Sequence, residues 1–356
     1  PQTPLHATHE KLGASFTDFG GWEMPLKYGS ELEEHRAVRT DVGIFDLSHM
    51  GEITVQGPDA AAFLDYTLIS DFSALKDGKA KYSMIVAEDG GILDDLITYR
   101  FSENHFMVVP NAANTAAVWA AFEARKGDFD VQLTNNSESF ALVAVQGPRA
   151  LEVLEPLLSD DASALSYYSG AWMTLDGVET FVARTGYTGE DGFELFCASD
   201  DAQKVWDAVI GSGTPCGLAA RDSLRLEASM PLYGHELTAE ITPVEAGMGR
   251  AFAKKEADFV GKDALLGREP SVVIAGLTSE QRRAAREGAE VFLAGSDEKI
   301  GVVTSGQPSP TLGYPVALAH LDPKHAEKGT EVEIDIRGRR YPFTIAPTPF
   351  YSRKDA

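Results

Sequence analysis

Residues 81–101 read Lys-Tyr-Ser-Met-Ile-Val-Ala-Glu-Asp-Gly-Gly-Ile-Leu-Asp-Asp-Leu-Ile-Thr-Tyr-Arg-Phe, two mainly apolar runs on either side of a short turn. The turn is Asp89-Gly90-Gly91, and glycine readily adopts the positive φ angles that tight hairpin turns require. The flanking runs, 81–86 and 92–101, contain the β-branched and aromatic residues typical of strands. This stretch therefore predicts a β-hairpin.

Strands and helices are also predicted on both sides of the hairpin. Residues 51–57 alternate apolar and polar side chains, which indicates a strand, and 58–68 follow as a helix. After the hairpin, the pattern predicts a strand at 105–109 and a helix at 111–126. Together these elements predict a compact α+β unit between about residues 52 and 138.

A second region of mixed structure surrounds that unit. Residues 30–40 indicate a helix, with acidic residues early and basic residues late, as the helix dipole favours. Residues 139–148 repeat the strand, Gly-Pro, helix pattern of residues 51–68. Further strands are predicted near 179–185 and 193–197, and further helices near 201–211 and 219–229.

After about residue 247 the composition changes to short strand-like runs separated by Gly, Pro and Ser turns. This pattern predicts a separate all-β domain, either a barrel or a sandwich. The predicted strands lie near 272–277, 299–304, 315–320, 330–336 and 341–346.

Composition excludes several classes of protein. The chain has 356 residues, 31 Lys+Arg and 54 Asp+Glu, which gives a formal net charge of −23. Nucleic-acid binders and proteins that dock on anionic lipid need clustered basic residues, so neither class is expected. Two cysteines cannot form a disulfide framework, and no run approaches the roughly 18 apolar residues of a membrane span. The first residues lack the apolar core of a signal peptide, and the simplest compartment is a reducing cytoplasm.

The hairpin contains an unusual acidic pair. Asp94 and Asp95 lie between Leu93 and Leu96, although acids are disfavoured in strands. Consecutive strand residues face opposite sides, so the two carboxylates cannot serve one site as a pair unless the strand bulges. A carboxylate on an apolar face must be paired, hydrogen-bonded or placed in a pocket. The pattern does not choose between such a site and two acids at a frayed hairpin end.

A glycine-rich stretch, Arg184-Thr-Gly-Tyr-Thr-Gly-Glu-Asp-Gly-Phe-Glu194, is the second candidate. Its three glycines allow the backbone to approach a flat ligand closely. Glu194 among aromatic residues could accept two parallel hydrogen bonds from an amidine-like ring edge. Glu190 and Asp191 are better explained as an acidic, solvated hairpin tip.

Arginine and histidine positions leave further alternatives open. Arg221 and Arg225 lie four residues apart on one predicted helix face. The pattern fits either a structural salt-bridge cluster or an arginine that recognises an anion. His49, which follows Ser48, is better explained as a local hydrogen-bonding residue than as a catalyst. No His, Cys or acidic spacing indicates a metal site. Residues 304–314 are by themselves only a loop.

Taken together and in order, these stretches resemble the glycine cleavage T-protein family, the tetrahydrofolate-dependent aminomethyltransferases. The resemblance runs from the N-terminus to beyond residue 310, and the C-terminal tail matches only loosely. The matching motifs are Thr3-Pro-Leu, Asp18-Phe-Gly-Gly-Trp-Glu-Met-Pro, Val38 to Met50, Gly90-Gly-Ile-Leu-Asp-Asp-Leu, Gln146-Gly-Pro, Thr185-Gly-Tyr-Thr-Gly-Glu-Asp-Gly, Gly217 to Glu227 and Thr304 to Gly313.

The resemblance implies an α+β fold of three domains in a cloverleaf, with a folate channel at the centre. The first domain would be discontinuous, residues 1–52 joined to 139–246. The second would be an inserted α+β domain at 53–138, and the third a C-terminal β-barrel at 247–356.

The resemblance also implies a reaction and its participants. A partner H-protein carries an aminomethyl group on a dihydrolipoyl arm, and its methylene carbon passes to tetrahydrofolate with release of ammonia. No metal is implied. Asp95 matches the essential acid of the family, Glu194 the pterin-binding acid and Arg221 a substrate-contacting arginine. Further folate-binding residues are expected, with less direct matches, at Tyr82, Asn111, Tyr168 and Tyr351, and Arg353 is a further candidate in the tail.

Two rival functions remain open from the sequence. Relatives of the same fold include folate-dependent demethylases of small methylated substrates, and the complete 90–96 and 186–192 stretches favour the aminomethyltransferase over them. A folate-binding accessory protein without turnover would not need the essential acid, which is present here as Asp95.

Overall fold

The computed structural model describes residues 1–355. Strands and helices alternate through the first 135 residues. In chain order they are α1 (His6–Lys11), β1 (Ser15–Phe19), β2 (Trp22–Lys27), α2 (Glu31–Thr40), β3 (Gly43–Asp46), β4 (Ile53–Gln56), α3 (Ala60–Thr67), β5 (Ala80–Val86), β6 (Ile92–Ser102), β7 (His105–Pro110), α4 (Thr115–Arg125) and β8 (Gln132–Asn135).

The remainder begins as mixed structure and ends as strands. Its elements are β9 (Phe140–Gln146), α5 (Ala150–Leu154), β10 (Gly170–Leu175), β11 (Val178–Ala183), β12 (Gly192–Ala198), α6 (Ala202–Ile210), β13 (Thr214–Pro215), α7 (Leu218–Glu227), α8 (Lys262–Leu265), β14 (Val273–Thr278), β15 (Glu290–Leu293), β16 (Lys299–Pro308), β17 (Pro315–Leu321), β18 (Glu331–Ile336) and β19 (Arg339–Ala346).

The strands form two open sheets, a small hairpin and a barrel. The predicted hairpin, β5–β6, lies at one edge of a five-stranded sheet with the order β5-β6-β7-β4-β8. A six-stranded sheet has the order β10-β11-β12-β9-β3-β13, and β1 pairs only with β2. The last six strands close into a barrel. The mixed α and β character and the C-terminal barrel, which the sequence left open against a sandwich, are thus confirmed.

Strand β3 belongs to a sheet whose other main strands come much later in the chain. It pairs antiparallel with β9, and Phe45 lies opposite Ala144. The five-stranded sheet is formed from residues between these two strands. The exact division into domains at 52, 138 and 246 stays a prediction.

The two open sheets pack against each other through an apolar layer. Tyr99 on β6 contacts the rings of Phe181 and Phe196 edge-on, with centroids 5.4 and 5.6 Å apart. Burial of these large rings is a main source of stabilisation at such an interface. The layer also brings β6 next to the glycine-rich stretch, since the hydroxyl of Tyr99 lies 2.9 Å from Thr185 Oγ1.

Some elements differ from the prediction. The strands β1, β2, β3, β8, β10, β13 and β15 were not predicted, because they are short or have exposed, mixed side chains. For example, Trp172 of β10 is 42% exposed. The predicted helix 111–126 is a 3-10 turn at Ala112–Asn114 followed by α4. Within residues 1–355, no helix combines the length and apolarity needed to cross a membrane.

Candidate active site

A cavity of about 620 Å³ lies where the two open sheets, α7 and the segment after α7 meet. Its volume is in the range of sites that enclose small organic ligands. Six of the seven residues predicted to form the site line it, although they come from six separate elements or loops. They are Tyr82, Asp95, Asn111, Tyr168, Glu194 and Arg221.

The acidic pair of β6 is divided between the cavity and the interior. Asp95 lines the cavity, whereas Asp94 is fully buried and is not among the lining residues. Asp94 accepts hydrogen bonds from the backbone and side-chain nitrogens of Asn111, at 2.9 and 2.8 Å, and from Asn114 at 2.7 Å. The pairing of β5 with β6 is irregular at Leu93, the residue immediately before Asp94. The acids therefore do not lie at a frayed hairpin end.

Asp95 is held by two neutral donors. The hydroxyl of Tyr82 donates to its Oδ2 at 2.8 Å, and Nδ2 of Asn111 donates to its Oδ1 at 2.7 Å. Burial raises the pKa of Asp95, and both hydrogen bonds oppose that increase. Burial and repulsion from Asp95 raise the pKa of Asp94 to about 7. A carboxylate whose pKa is raised toward neutral pH, as in these two acids, can accept a proton or stabilise a cation near that pH.

Glu194 is buried at the end of a short hydrogen-bonded chain. The hydroxyl of Thr185 donates to its Oε1 at 2.5 Å, and Thr185 Oγ1 lies 2.9 Å from the hydroxyl of Tyr99. Burial raises the pKa of Glu194. Only one carboxyl oxygen has a partner within residues 1–355, so the other can accept a hydrogen bond from a ligand. The adjoining turn is closely packed, because a Cβ on Gly186 would lie 2.2 Å from Gln146 Oε1 and would force that side chain to shift.

The two arginines of α7, for which the sequence left a salt-bridge cluster and an anion-recognising role open, have different environments. Arg225 is buried and bonded to Asp222, Glu236 and Ser305, each at 2.8 Å, so it forms the salt-bridge cluster. The side chain of Arg221 has no hydrogen bond or ion pair within residues 1–355, and its guanidinium lies 4.7 Å from the ring centroid of Tyr187. Burial lowers the pKa of Arg221. Its five donors are therefore available to a ligand.

Two predicted site residues come from the least regular parts of the chain. Tyr168 lines the cavity and has a positive φ of 62°, which is uncommon for a residue with a side chain. Tyr351 does not line the cavity. It stacks under the guanidinium of Arg39, 4.1 Å from the ring centroid, and donates to Glu190. The predicted folate-binding role of Tyr351 remains untested.

The acids of the glycine-rich turn are not a solvated tip, as the sequence suggested. Glu190 pairs with Arg39 at 3.0 Å and is nearly buried. Asp191 pairs with Arg184 at 2.9 Å, and Arg353, the other tail candidate, lies 3.6 Å from Asp191. The turn and the C-terminal tail are thus joined by ion pairs.

Sequence reasoning missed several cavity residues, among them Tyr99, Tyr187 and His49. Tyr99 could have been found, because it lies four residues after Asp95 on the same strand face. His49 was interpreted as a local hydrogen-bonding residue, and this was wrong, since the ring makes no hydrogen bond within residues 1–355 and its Nδ1 is buried without a partner. No group of three or more His, Cys, Asp or Glu in the described part of the chain is placed to hold a metal ion.

Comparison with known proteins identifies the family. Residues 5–256 match the GCVT N-terminal domain, and 273–352 match the glycine cleavage T-protein C-terminal barrel domain. The chain is 60% identical to the aminomethyltransferase of Corynebacterium aurimucosum and 45% identical to that of Listeria monocytogenes, in both cases over 99% of this chain and 98% of the relative. The crystal structure of the glycine cleavage system aminomethyltransferase T from Bartonella henselae superposes with a TM-score of 0.93 at 38% identity, covering 99% of this chain and 98% of that one. The chain therefore belongs to the glycine cleavage T-protein family, a family of enzymes whose members in these comparisons are aminomethyltransferases.

Proposed function

We propose that the chain transfers the methylene carbon of an aminomethyl group from the dihydrolipoyl arm of H-protein to tetrahydrofolate and releases ammonia. The single observation that carries this proposal is the cavity itself. It brings together a buried carboxylate, Glu194, a partly buried carboxylate, Asp95, and a guanidinium without an ion-pair partner, Arg221. A reduced pterin has paired N–H donors at one edge, and its tail has acceptor oxygens, so this set of groups is complementary to tetrahydrofolate.

Glu194 is proposed to bind the pterin. Its free carboxyl oxygen, together with Oε1, can accept the parallel hydrogen bonds of the ring edge. Arg221 is proposed to donate to an oxygen of a substrate, because it has no partner within the described chain. Tyr82, Asn111 and Tyr168 are proposed to line the folate site, and Tyr351 to act only through the Arg39–Glu190 pair that it contacts.

Asp95 is proposed as the catalytic carboxylate. Its carboxylate would orient the folate nitrogens and stabilise the iminium cation that forms as ammonia leaves. A charge stabilised in a buried site acts more strongly than one in water, because the local dielectric is lower. The raised pKa of Asp95 also suits it to accept a proton from a reacting nitrogen.

Three further parts of the proposal concern the domains, the location and the partner. The domain division at 1–52 with 139–246, 53–138 and 247–356 is supported by the separate sheets and the barrel. A cytoplasmic location is supported by the two buried free cysteines, Cys197 and Cys216. A partnership with H-protein is supported by the family alone.

Calorimetric titration with tetrahydrofolate and an ammonia-release assay with aminomethylated H-protein test the function. We expect tetrahydrofolate to bind and ammonia to be released only when both substrates are present. Folate binding without turnover would favour the demethylase or the accessory protein, and transfer of a methyl group from a small methylated substrate to tetrahydrofolate, detected as methyl-tetrahydrofolate together with the demethylated substrate, would select the demethylase. Failure to bind tetrahydrofolate would contradict the proposal.

A further inference from the structure

His49 lines the same cavity and has no role in the account above. It follows β3 in the loop Asp46-Leu-Ser-His-Met50, and the residue is only 4% exposed. Buried polar groups in folded proteins nearly always have a hydrogen-bond partner, so a buried histidine without one requires an explanation.

The ring is held by packing rather than by hydrogen bonds. Phe19 and Trp22 flank the imidazole edge-on, with ring centroids 5.7 and 6.4 Å away. Of the two ring nitrogens, Nδ1 is fully buried without a partner, whereas Nε2 is not among the buried polar atoms that lack one. Since His49 makes no hydrogen bond within residues 1–355, the nitrogen open to the cavity is Nε2.

The surroundings keep the imidazole uncharged. Burial and the charge of Arg221 lower the pKa of His49 to about 4, and the charge of Asp46 opposes this only in part. A neutral imidazole has one N–H donor and one nitrogen lone pair. With the ring proton on Nδ1, the lone pair of Nε2 can accept a hydrogen bond from a ligand in the cavity at neutral pH, which a charged imidazolium cannot do.

We propose that His49 is a further ligand-binding residue of this site, whose imidazole accepts a hydrogen bond from an uncharged N–H group of tetrahydrofolate beside Arg221. The inference rests on the proposed function for the identity of the ligand. An uncharged donor is favoured over the ammonium of the aminomethyl arm, because a second cation next to the unpaired guanidinium of Arg221 would be repelled. The N–H groups of the reduced pterin are uncharged donors of this kind.

Two substitutions separate the hydrogen bond from the packing. His49→Phe keeps an aromatic ring between Phe19 and Trp22 but removes both nitrogens. His49→Gln loses the ring but keeps an oxygen that can accept a hydrogen bond. We expect His49→Phe to weaken tetrahydrofolate binding about tenfold, the typical effect of one lost hydrogen bond, and His49→Gln to stay within about threefold of the parent.

Calorimetric titration with tetrahydrofolate measures both variants, and thermal unfolding verifies that they fold. Nitrogen-15 spectra of the parent add an independent readout, because the accepting nitrogen of His49 should shift when tetrahydrofolate is added. Unchanged affinity in His49→Phe, or equal loss in both variants, would overturn the proposal. A rise only in KM for aminomethylated H-protein would also overturn it, since the arm would then be the donor. If the parent chain itself fails to bind tetrahydrofolate, the proposed function fails first, which is a distinguishable result.

Discussion

Asp94 and Asp95 are adjacent in β6 and share one donor, the side-chain nitrogen of Asn111, which lies 2.8 Å from Asp94 Oδ1 and 2.7 Å from Asp95 Oδ1. Asp94 receives two further hydrogen bonds, from the Asn111 backbone and from Asn114. Asp94 therefore holds Asn111 in place, and Asn111 in turn orients the carboxylate that lines the cavity. The two acids are therefore not equivalent, because Asp94 supports Asn111 in the interior and Asp95 faces the cavity.

Replacement of the cavity carboxylate should abolish most of the turnover. We expect Asp95→Asn to lower the rate of H-protein-dependent ammonia release by on the order of 10²–10⁴, because both charge stabilisation and proton acceptance are lost. Tetrahydrofolate affinity should fall much less, since Glu194 and Arg221 remain. Glu88→Gln is the matched control, because it removes one negative charge from an exposed position of the same hairpin. Near-normal turnover in Asp95→Asn would remove Asp95 from the mechanism.

The hydroxyl of Tyr82 should affect the pH dependence of turnover. Its hydrogen bond stabilises the ionised form of Asp95 and so lowers the pKa of that carboxyl. Tyr82→Phe removes the bond, so the pKa of Asp95 rises further and the ionised form appears only at higher pH. We expect the acid limb of the turnover–pH profile to move up by roughly half a unit to one unit. An acid limb that stays in place or moves down would show that Tyr82 does not act through Asp95.

Glu52 should make the protein less stable as pH rises. It is fully buried, and neither carboxyl oxygen has a partner within residues 1–355. Burial raises the pKa of Glu52 well above its ordinary value of 4.5. Above pH 4.5 the unfolded chain loses this proton while the folded chain keeps it, so stability falls by up to about 1.4 kcal/mol per pH unit until the folded-state pKa is reached.

The substitution Glu52→Met removes the fall in stability with rising pH while keeping a side chain of similar length. We expect the variant to be more stable than the parent at pH 7, with a difference that shrinks as pH falls toward 4.5. Urea unfolding at several pH values measures both curves. A difference that stays the same at every pH would mean that Glu52 is not protonated in the folded chain.

Glu227 should have the opposite pH dependence. It lies 2.9 Å from His35 Nε2 and from Arg39 on α2, and it accepts from Ser309 and Thr311 in the loop between β16 and β17. Burial alone would raise the pKa of Glu227, but the hydrogen bonds of His35 and Ser309 and the charge of Arg39 outweigh it and lower the pKa to about 2. Its stabilising effect is therefore complete above the unfolded value of 4.5 and is lost as pH falls through about 2.

The substitution Glu227→Gln leaves Arg39 with one carboxylate instead of two. Breaking a buried ion pair typically costs about 3–5 kcal/mol, and the remaining contact with Glu190 should keep the loss near the lower figure. We expect the free energy of unfolding to fall at pH 7 and the difference from the parent to narrow below pH 4. Equal stability of parent and variant at pH 7 would show that this cluster does not join the barrel to α2.

The local elements could be predicted because their causes are local. The hairpin 81–101 depends on glycine in its turn and apolar alternation in its strands, and the helix at Glu31–Thr40 depends on its Ser30 cap, whose side chain accepts from Glu33 N at 3.2 Å. The ordered motifs, each a short run of residues, were likewise sufficient to indicate the family and the carboxylates of the site.

Only the tertiary structure decided how these elements meet. Strand alternation allowed either Asp94 or Asp95 to be the proposed catalytic carboxylate. The choice depends on which of them faces a cavity that is also lined by Glu194 and Arg221, which are distant in sequence. Helix spacing does not distinguish Arg221 from Arg225. They differ because Glu236 and Ser305, which come from other segments, bind only Arg225. Burial and pairing of a charge depend on residues remote in sequence, and no local pattern contains that information.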